Sequence, residues 1–494
     1  MQKEVLSYHP NAYLEHRRNV AKGLRARTKI LKVIEEMRSK EVHERTAKLT
    51  IEGMSKSADL SYSASLHHLR LLENERIVKR EGKRPYRWKI TGEGQKSLDD
   101  ISIEKELNSI MKEVEELLMI PGPVPVLPRI REVMTKPMIF HRGDEFGTMY
   151  EAIVEQLRTI FKTRNDIFVL SGSGTCAMEA AIGNLVDRDK KVVCIANGKF
   201  GERFGLIADR YSEHVKALNL SWGTAIDLES VKAALDTNPD VVTMVHNETS
   251  TGILNPAQEV GKLVKKHDAV FVLDCITSIG GDEAPVDELG VDIAIVGSQK
   301  CLGAPPGMSA ISISEKAWSL IHEKQNGKPF YTDLEAYKNS FGKKQTPYTP
   351  AVPLLFALWE ALEVIKEEGM DRRIERHRKL SKAVRAAVTG LGLTLFPVLN
   401  EVSNYSNTVT AINLPEGLTD ETLKGGMRKR GVIIAGGQEK LKGEIFRIAT
   451  MGNITDKEVL KTTHALEEVL EENAVITQSG KGLEEVKSDF SRTG

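Results

Sequence analysis

Residues 166–186 read DIFVLSGSGTCAMEAAIGNLV. An uninterrupted apolar run, Ile167 to Leu170, passes through Ser171-Gly172-Ser173-Gly174-Thr175 directly into a stretch of small and apolar residues. Such a run suits a strand buried on both faces, and the small residues beyond it suit a helix that packs closely on its neighbours. Strand, glycine-rich turn and helix together leave backbone N–H groups and hydroxyls at a helix start, which makes an anion site. The turn matches neither the GxGxxG nor the GxxxxGK[ST] pattern, which weakens both nucleotide readings. Close packing alone would equally account for its small residues.

Further along, KKVVCIA (190–196), DVVTMVH (240–246), AVFVLD (269–274), DIAIVG (292–297) and MSAISIS (308–314) repeat the strand pattern, with helix-like segments between most of them. The alternation predicts an α/β domain built on a mostly parallel sheet with helices on both faces. A long helical stretch from Thr349 to about Gly390 leads to a smaller α+β region with strands near 408–414, 432–435 and 445–450. Ligands of such sheets collect at the carboxyl ends of the strands. Asp274 ends one strand, and Gly297-Ser298-Gln299-Lys300 follows another. A carboxylate and a lysine beside an anion-binding turn are the parts that pyridoxal 5′-phosphate needs: an anion for its pyridinium nitrogen and an amine for its aldehyde. Taken singly, Asp274 also reads as a helix cap and Lys300 as a surface lysine.

The chain has 494 residues, 40% hydrophobic and 28% charged, enough for about three domains at roughly 150 residues each. No apolar run reaches the ~20 residues of a membrane helix. The start shows no secretory pattern, and the four cysteines form no CxxC pair. These features predict a cytoplasmic protein with free thiols, and no metal site is expected. Lys+Arg and Asp+Glu are both 69. The first hundred residues nevertheless hold 22 Lys+Arg against 14 Asp+Glu, so a basic unit precedes an acidic one.

Within the basic unit, helical periodicity covers 22–37, 49–58 and 61–73, followed by period-two segments at 77–80 and 86–90 around a basic tip. That order resembles the winged helix-turn-helix domains of small prokaryotic regulators. The resemblance implies DNA binding, with Ser63, Ser65 and Arg70 of the third helix at a major groove and Arg80, Lys83, Arg84 and Arg87 on phosphates. A protein-interaction role is the alternative. His67 and His68 lack ligand-spaced neighbours and read as helix-surface residues.

From about Met119 to Glu471 the motifs IPGPVPV (120–126), HRGDEF (141–146), SGSGTCAMEAA (171–181), NGKFGERF (197–204), HNETSTGILNP (246–256), LDCITSIGG (273–281), GSQKCLGAPPG (297–307), YTPAVPLLFAL (348–358) and FRIATMG (446–452) resemble the class V, fold-type I pyridoxal-phosphate aminotransferases, especially the alanine:glyoxylate and serine:pyruvate branch. The resemblance implies that Lys300 forms the internal aldimine and that Asp274 holds the pyridinium proton. It puts Ser173, Gly174, Thr175 and Gln299 on the phosphate, with Thr349 reaching the phosphate of the neighbouring subunit of a homodimer. Phe200 would stack on the ring, Thr249 would approach its phenolic oxygen, and Arg447 would clamp the substrate α-carboxylate. Where the family often has an aromatic hydroxyl, three positions before Thr349, this chain has Thr346.

The implied reaction moves the amino group of alanine or serine to glyoxylate or pyruvate. Aspartate or 2-aminoethylphosphonate as donor, and lyase or decarboxylase chemistry, are alternatives. A cysteine desulfurase is disfavoured because no cysteine follows Cys301. A DNA-binding regulator that senses the cofactor or an amino acid is the second reading. The expected domains are 1–100 (winged helix), 101–120 (acidic helix and Pro-rich linker), 121–355 (large α/β), 356–475 (small α+β) and a frayed tail, 476–494.

Overall fold

The computed structural model describes residues 8, 9, 12, 20–37, 49–82, 85–91, 116–324 and 327–492. The chain divides into two units, Met1–Val114 and Glu115–Gly494.

In the first unit, helices α1 (Ala21–Glu36), α2 (Ile51–Ser57) and α3 (Tyr62–Asn74) precede an antiparallel hairpin of β1 (Val78–Glu81) and β2 (Arg87–Ile90). Side-chain caps set the helix starts: Thr50 accepts from Gly53 N at 3.1 Å and Ser61 from Ala64 N at 3.1 Å, as short hydroxyl side chains do at this position. Ile30, Leu31, Met54, Leu69, Leu72 and Trp88 share one core. Ser65 corrects the sequence reading. It is fully buried, because the inward stripe of α3 is Ser65, Leu69 and Leu72, whereas Leu66 is only partly covered. His68 is also half-buried, and burial holds its imidazole down at about 4. Lys83, Arg84 and most of the acidic helix expected at 101–118 lie outside the described residues.

The second unit is built on a seven-stranded sheet. Its strands are β4 (Asp166–Ser171), β5 (Lys191–Ala196), β6 (His214–Asn219), β7 (Val241–Val245), β8 (Val270–Asp274), β9 (Ile293–Gly297) and β10 (Met308–Ile313), in spatial order β4-β10-β9-β8-β7-β5-β6. All neighbours are parallel except β10, which runs antiparallel to both β9 and β4. Alternate residues serve two cores: Ile167, Val169, Phe271 and Leu273 face one layer of helices, Phe168, Leu170, Val270 and Val272 the other. This is the mostly parallel, doubly covered sheet expected from the apolar runs. The edge strand β6 was not among the expected strands; its residues are half-buried or exposed, so its sequence carries no apolar run.

Helices α4 (Asp144–Phe161), α5 (Gly174–Leu185) and α6 (Lys199–Ala208) pack on this sheet, and α7 (Val352–Glu368) leads into α8 (Met370–Gly390). A second sheet, of order β11 (Val409–Asn413), β13 (Ile445–Ala449), β12 (Val432–Gly436) and β3 (Leu117–Met119), forms the smaller lobe with α9 (Asp456–Glu472) and α10 (Lys481–Arg492).

The structure departs from the expected boundaries in three places. Leu117–Met119, expected in the linker, pairs in parallel with Val432–Ile434. The boundary at 355/356 falls inside α7, whose Val352, Leu355, Leu358 and Leu362 all sit in a large-lobe core. The expected frayed tail holds α10, where Val486 is fully buried and Lys382 pairs with Asp489 at 2.9 Å. Among the described residues no helix is long and apolar enough to cross a membrane, and no group of three or more His, Cys, Asp or Glu residues could hold a metal.

Candidate active site

The parallel strands β7, β8 and β9 finish at one edge of the sheet, and the turn after β4 opens at the same edge. One cavity lies there, lined by Ser173, Gly174, Thr175, Phe200, Arg203, Val245, Asn247, Thr249, Asp274, Ile276, Thr277, Gln299 and Lys300. Eight residues singled out in the sequence are thereby brought together.

Ser173 sits at the start of α5, its hydroxyl makes no capping bond, and Ser173, Gly174 and Thr175 line the cavity at the helix end whose first N–H groups lack intrahelical partners. Gly174 is dictated by space: a Cβ there would lie 2.4 Å from Ile276 Cδ1.

Asp274 is 3% exposed and accepts from Ile276 N at 2.8 Å. Burial pushes its carboxyl up to about 7, and the nearby Glu248 charge adds to the rise. Lys300 donates to the Pro121 carbonyl. Burial is the main cause bringing its amine down to about 8, and the Arg447 and Arg203 charges act in the same direction. A buried acid and a buried amine with proton affinities drawn toward neutrality are the pattern of a site that moves protons.

Glu248 is fully buried behind the cavity. Its carboxylate accepts from Phe200 N and Gly201 N, both at 3.0 Å, and from the Ser250 hydroxyl at 2.6 Å. Burial raises its proton affinity. These bonds fix the first turn of α6 and with it the ring of Phe200. Arg203, one turn on, donates to Thr175 Oγ1 at 3.0 Å and lies 4.7 Å from the centre of the Phe200 ring. Neither Glu248 nor Arg203 was singled out in the sequence. The i, i+3 spacing of Phe200 and Arg203 on a helix was the available signal for the arginine.

Arg447 stands just behind the wall. It is 4% exposed and donates to the Gly436 carbonyl at 2.7 Å and to the Thr249 carbonyl at 2.9 Å. Burial lowers it to about 10. Its Nε also donates to the Gly436 carbonyl, at 3.0 Å, so that of its five N–H groups one on each terminal nitrogen makes no bond among the described residues. Thr349 is exposed and does not line this cavity. Thr346 is buried and donates to the Tyr348 carbonyl at 2.7 Å.

In the first unit, Ser63, Arg70 and Arg87 are exposed. Arg80 pairs with Glu73 at 2.7 Å and lies over the Trp88 ring at 5.6 Å, so part of its charge is already answered. Buried Ser65 is withdrawn from any outward role.

The profile of the aminotransferase class-V family matches residues 130–451. An aminotransferase of Methanocaldococcus jannaschii is 45% identical over 363 residues, covering 73% of this chain and 94% of that protein. The alanine–glyoxylate aminotransferase of Drosophila melanogaster is 33% identical over 364 residues, covering 72% of this chain and 92% of that protein. The crystal structure of ureidoglycine–glyoxylate aminotransferase from Bacillus subtilis has a TM-score of 0.73 at 32% identity, covering 76% of this chain and 98% of the other.

Proposed function

The chain belongs to the class V aminotransferase family and has the fold-type I transferase fold, and we propose that it moves the amino group of alanine or serine to glyoxylate or pyruvate in the cytoplasm, using pyridoxal 5′-phosphate. The observation that carries this reading is the meeting of Asp274, Lys300 and the 173–175 turn in one cavity. The residues fit that group. Among the described residues Asp274 makes no ion pair, so its buried carboxylate is open to a ring N–H. The Lys300 chain occupies space that only a glycine at 122 leaves free. The Drosophila relative's name supports a small donor and glyoxylate as acceptor.

When bound, the cofactor supplies an electron sink for the pair released at the substrate α-carbon. The chain's own residues do the rest. Asp274 would hold the proton on the ring nitrogen; Ser173, Gly174, Thr175 and Gln299 would bind the phosphate; and Phe200 and Thr249 would line the space for the ring. Lys300 moves the proton at the α-carbon, a task suited to an amine of lowered proton affinity. Arg447 offers two N–H groups to the α-carboxylate, a fork that lysine cannot copy. In the homodimer we propose, Thr349 of the partner subunit adds a hydroxyl. Exposed Phe330 and Tyr331, the first tilted against Tyr348 and the second stacked on it, give that loop an apolar surface to bury.

The visible spectrum of the purified protein and of Lys300→Ala, with alanine, serine or aspartate added singly, tests this reading. A cofactor band that the substitution alters and that alanine or serine converts to the amine form is expected. Conversion by aspartate alone would reassign the donor, and failure to load any cofactor would remove the site assignment.

A second reading concerns the first unit. Exposed Ser63, His67, Arg70 and Asn74 form one stripe along α3, which supports binding of duplex DNA through a winged helix, with amino-acid-responsive regulation as the consequence. Full-length protein should shift labelled duplex in a salt-dependent way, and Arg70→Ala should weaken the shift. Binding unaffected by either change would leave the unit as an interaction module.

A further inference from the structure

Ser173, Gly174, Thr175 and Gln299 offer a phosphate ester neutral donors only, yet such an ester carries close to two negative charges at neutral pH. A partly desolvated dianion is held far better by charge-assisted bonds than by neutral ones. The cavity has two cations, Lys300 and Arg203. Lys300 is engaged with the Pro121 carbonyl, which leaves the arginine.

We propose that Arg203 is the counter-charge of the cofactor phosphate, reaching it alongside Thr175; the inference rests on the cofactor reading above. Its Nη1 donates to Thr175 Oγ1 at 3.0 Å, within the turn that would cradle the phosphate. The guanidinium carbon lies over the Phe200 ring, 4.7 Å from its centre. Glu248 holds the backbone of Phe200 and Gly201 at 3.0 Å, so the helix carrying the arginine is fixed at its root. The Arg203 charge is also felt at Asp274 and Lys300, where it favours the deprotonated forms. One N–H spent on Thr175 leaves others for two phosphate oxygens. A substrate side-chain carboxylate is the rival anion, and the bond to the 173–175 turn favours the phosphate.

The test titrates full-length apoprotein with pyridoxal 5′-phosphate and, separately, with pyridoxal, which lacks the phosphate, following absorbance. Arg203→Met should weaken phosphate-ester binding by about tenfold to a hundredfold, the loss of one charged hydrogen bond, and weaken pyridoxal binding far less. Retained pyridoxal binding also shows that the variant is folded. Arg203→Lys should recover part of the loss, since it restores charge without the fork. Equal weakening of both ligands would mean that Arg203 acts by packing on Phe200 and would overturn the proposal. So would unchanged cofactor affinity with a raised KM for a dicarboxylic donor. If the native protein takes up neither ligand, the cofactor reading itself fails and this inference falls with it.

Discussion

Gly122 and Lys300 occupy complementary space: a Cβ built on Gly122 would fall 2.6 Å from Lys300 Nζ and 2.7 Å from its Cδ, and the glycine's φ is +87°. The lysine therefore reaches its place across a backbone with no side chain, held there by the carbonyl of Pro121. Gly122→Ala both strains the backbone and pushes the amine aside. Displacement of a reacting group by about 1 Å costs on the order of a hundredfold, so kcat for the preferred amino donor should fall by about that factor with the circular-dichroism spectrum unchanged. Full activity in this variant would mean that Lys300 does not use the space Gly122 leaves.

Asp274 is a buried carboxyl whose charged form costs stability. Its folded-state proton affinity, about 7, lies above the ordinary 3.8. Its contribution is therefore fully present below about pH 4 and is lost as pH rises through 7. Asp274→Asn removes the buried charge, and the apoprotein should be more stable than native at pH 8 by an amount of order a few kcal/mol and melt correspondingly higher, while at pH 4 the two should coincide. A pH-independent difference in Tm would refute the assignment.

Glu248 makes a separable prediction, because it serves the protein before any ligand arrives. Glu248→Ala leaves the N–H groups of Phe200 and Gly201 buried without an acceptor, at a cost of about 3 kcal/mol. Glu248→Gln keeps an acceptor and should cost much less. Urea midpoints of the two apoproteins decide this, and equal midpoints would show that the bonds at 3.0 Å are dispensable.

The C-terminal helix α10 is clamped at its start. Glu467 accepts from Gly482 N at 2.6 Å and from Leu483 N at 3.2 Å, and Val486 is fully buried. Ending the chain at residue 479 uncovers the apolar face of α8 and should destabilise the small lobe by about 3 kcal/mol. Thermal melts of the shortened chain give the readout, and an unchanged Tm would restore the picture of a loose tail.

What the sequence made legible follows the physics of burial. Strands β4, β5 and β7 to β10 are covered on both faces, so each is an apolar run, and residues at their ends fall into one site by topology alone. Edge strand β6, with only half-covered residues, has no such run to read. Helix α10 escaped because Leu483, Val486 and Phe490 are diluted among charges. Ser65 misled because three leucines at 66, 69 and 72 suggest a face, whereas the true inward stripe includes a serine. Glu248 carries no such signal, and the helical spacing of Arg203 from Phe200 places the arginine beside the ring without giving its role. Their roles depend on hydrogen bonds to Thr175 and to the backbone of Phe200, which periodicity does not encode.

The reversed strand β10 has a consequence for synthesis of the chain. The strand that launches the anion-binding turn, Asp166–Ser171, pairs with Met308–Ile313, a segment that leaves the ribosome only after Lys300. Closing so long a loop is slow, because its entropy is lost before the contacts return anything. A nascent chain halted ahead of Met308 would thus already possess its lysine and its acid but hold the turn on an unpaired edge. On the cofactor reading proposed above, an incomplete chain would lack a finished site until the large sheet is whole.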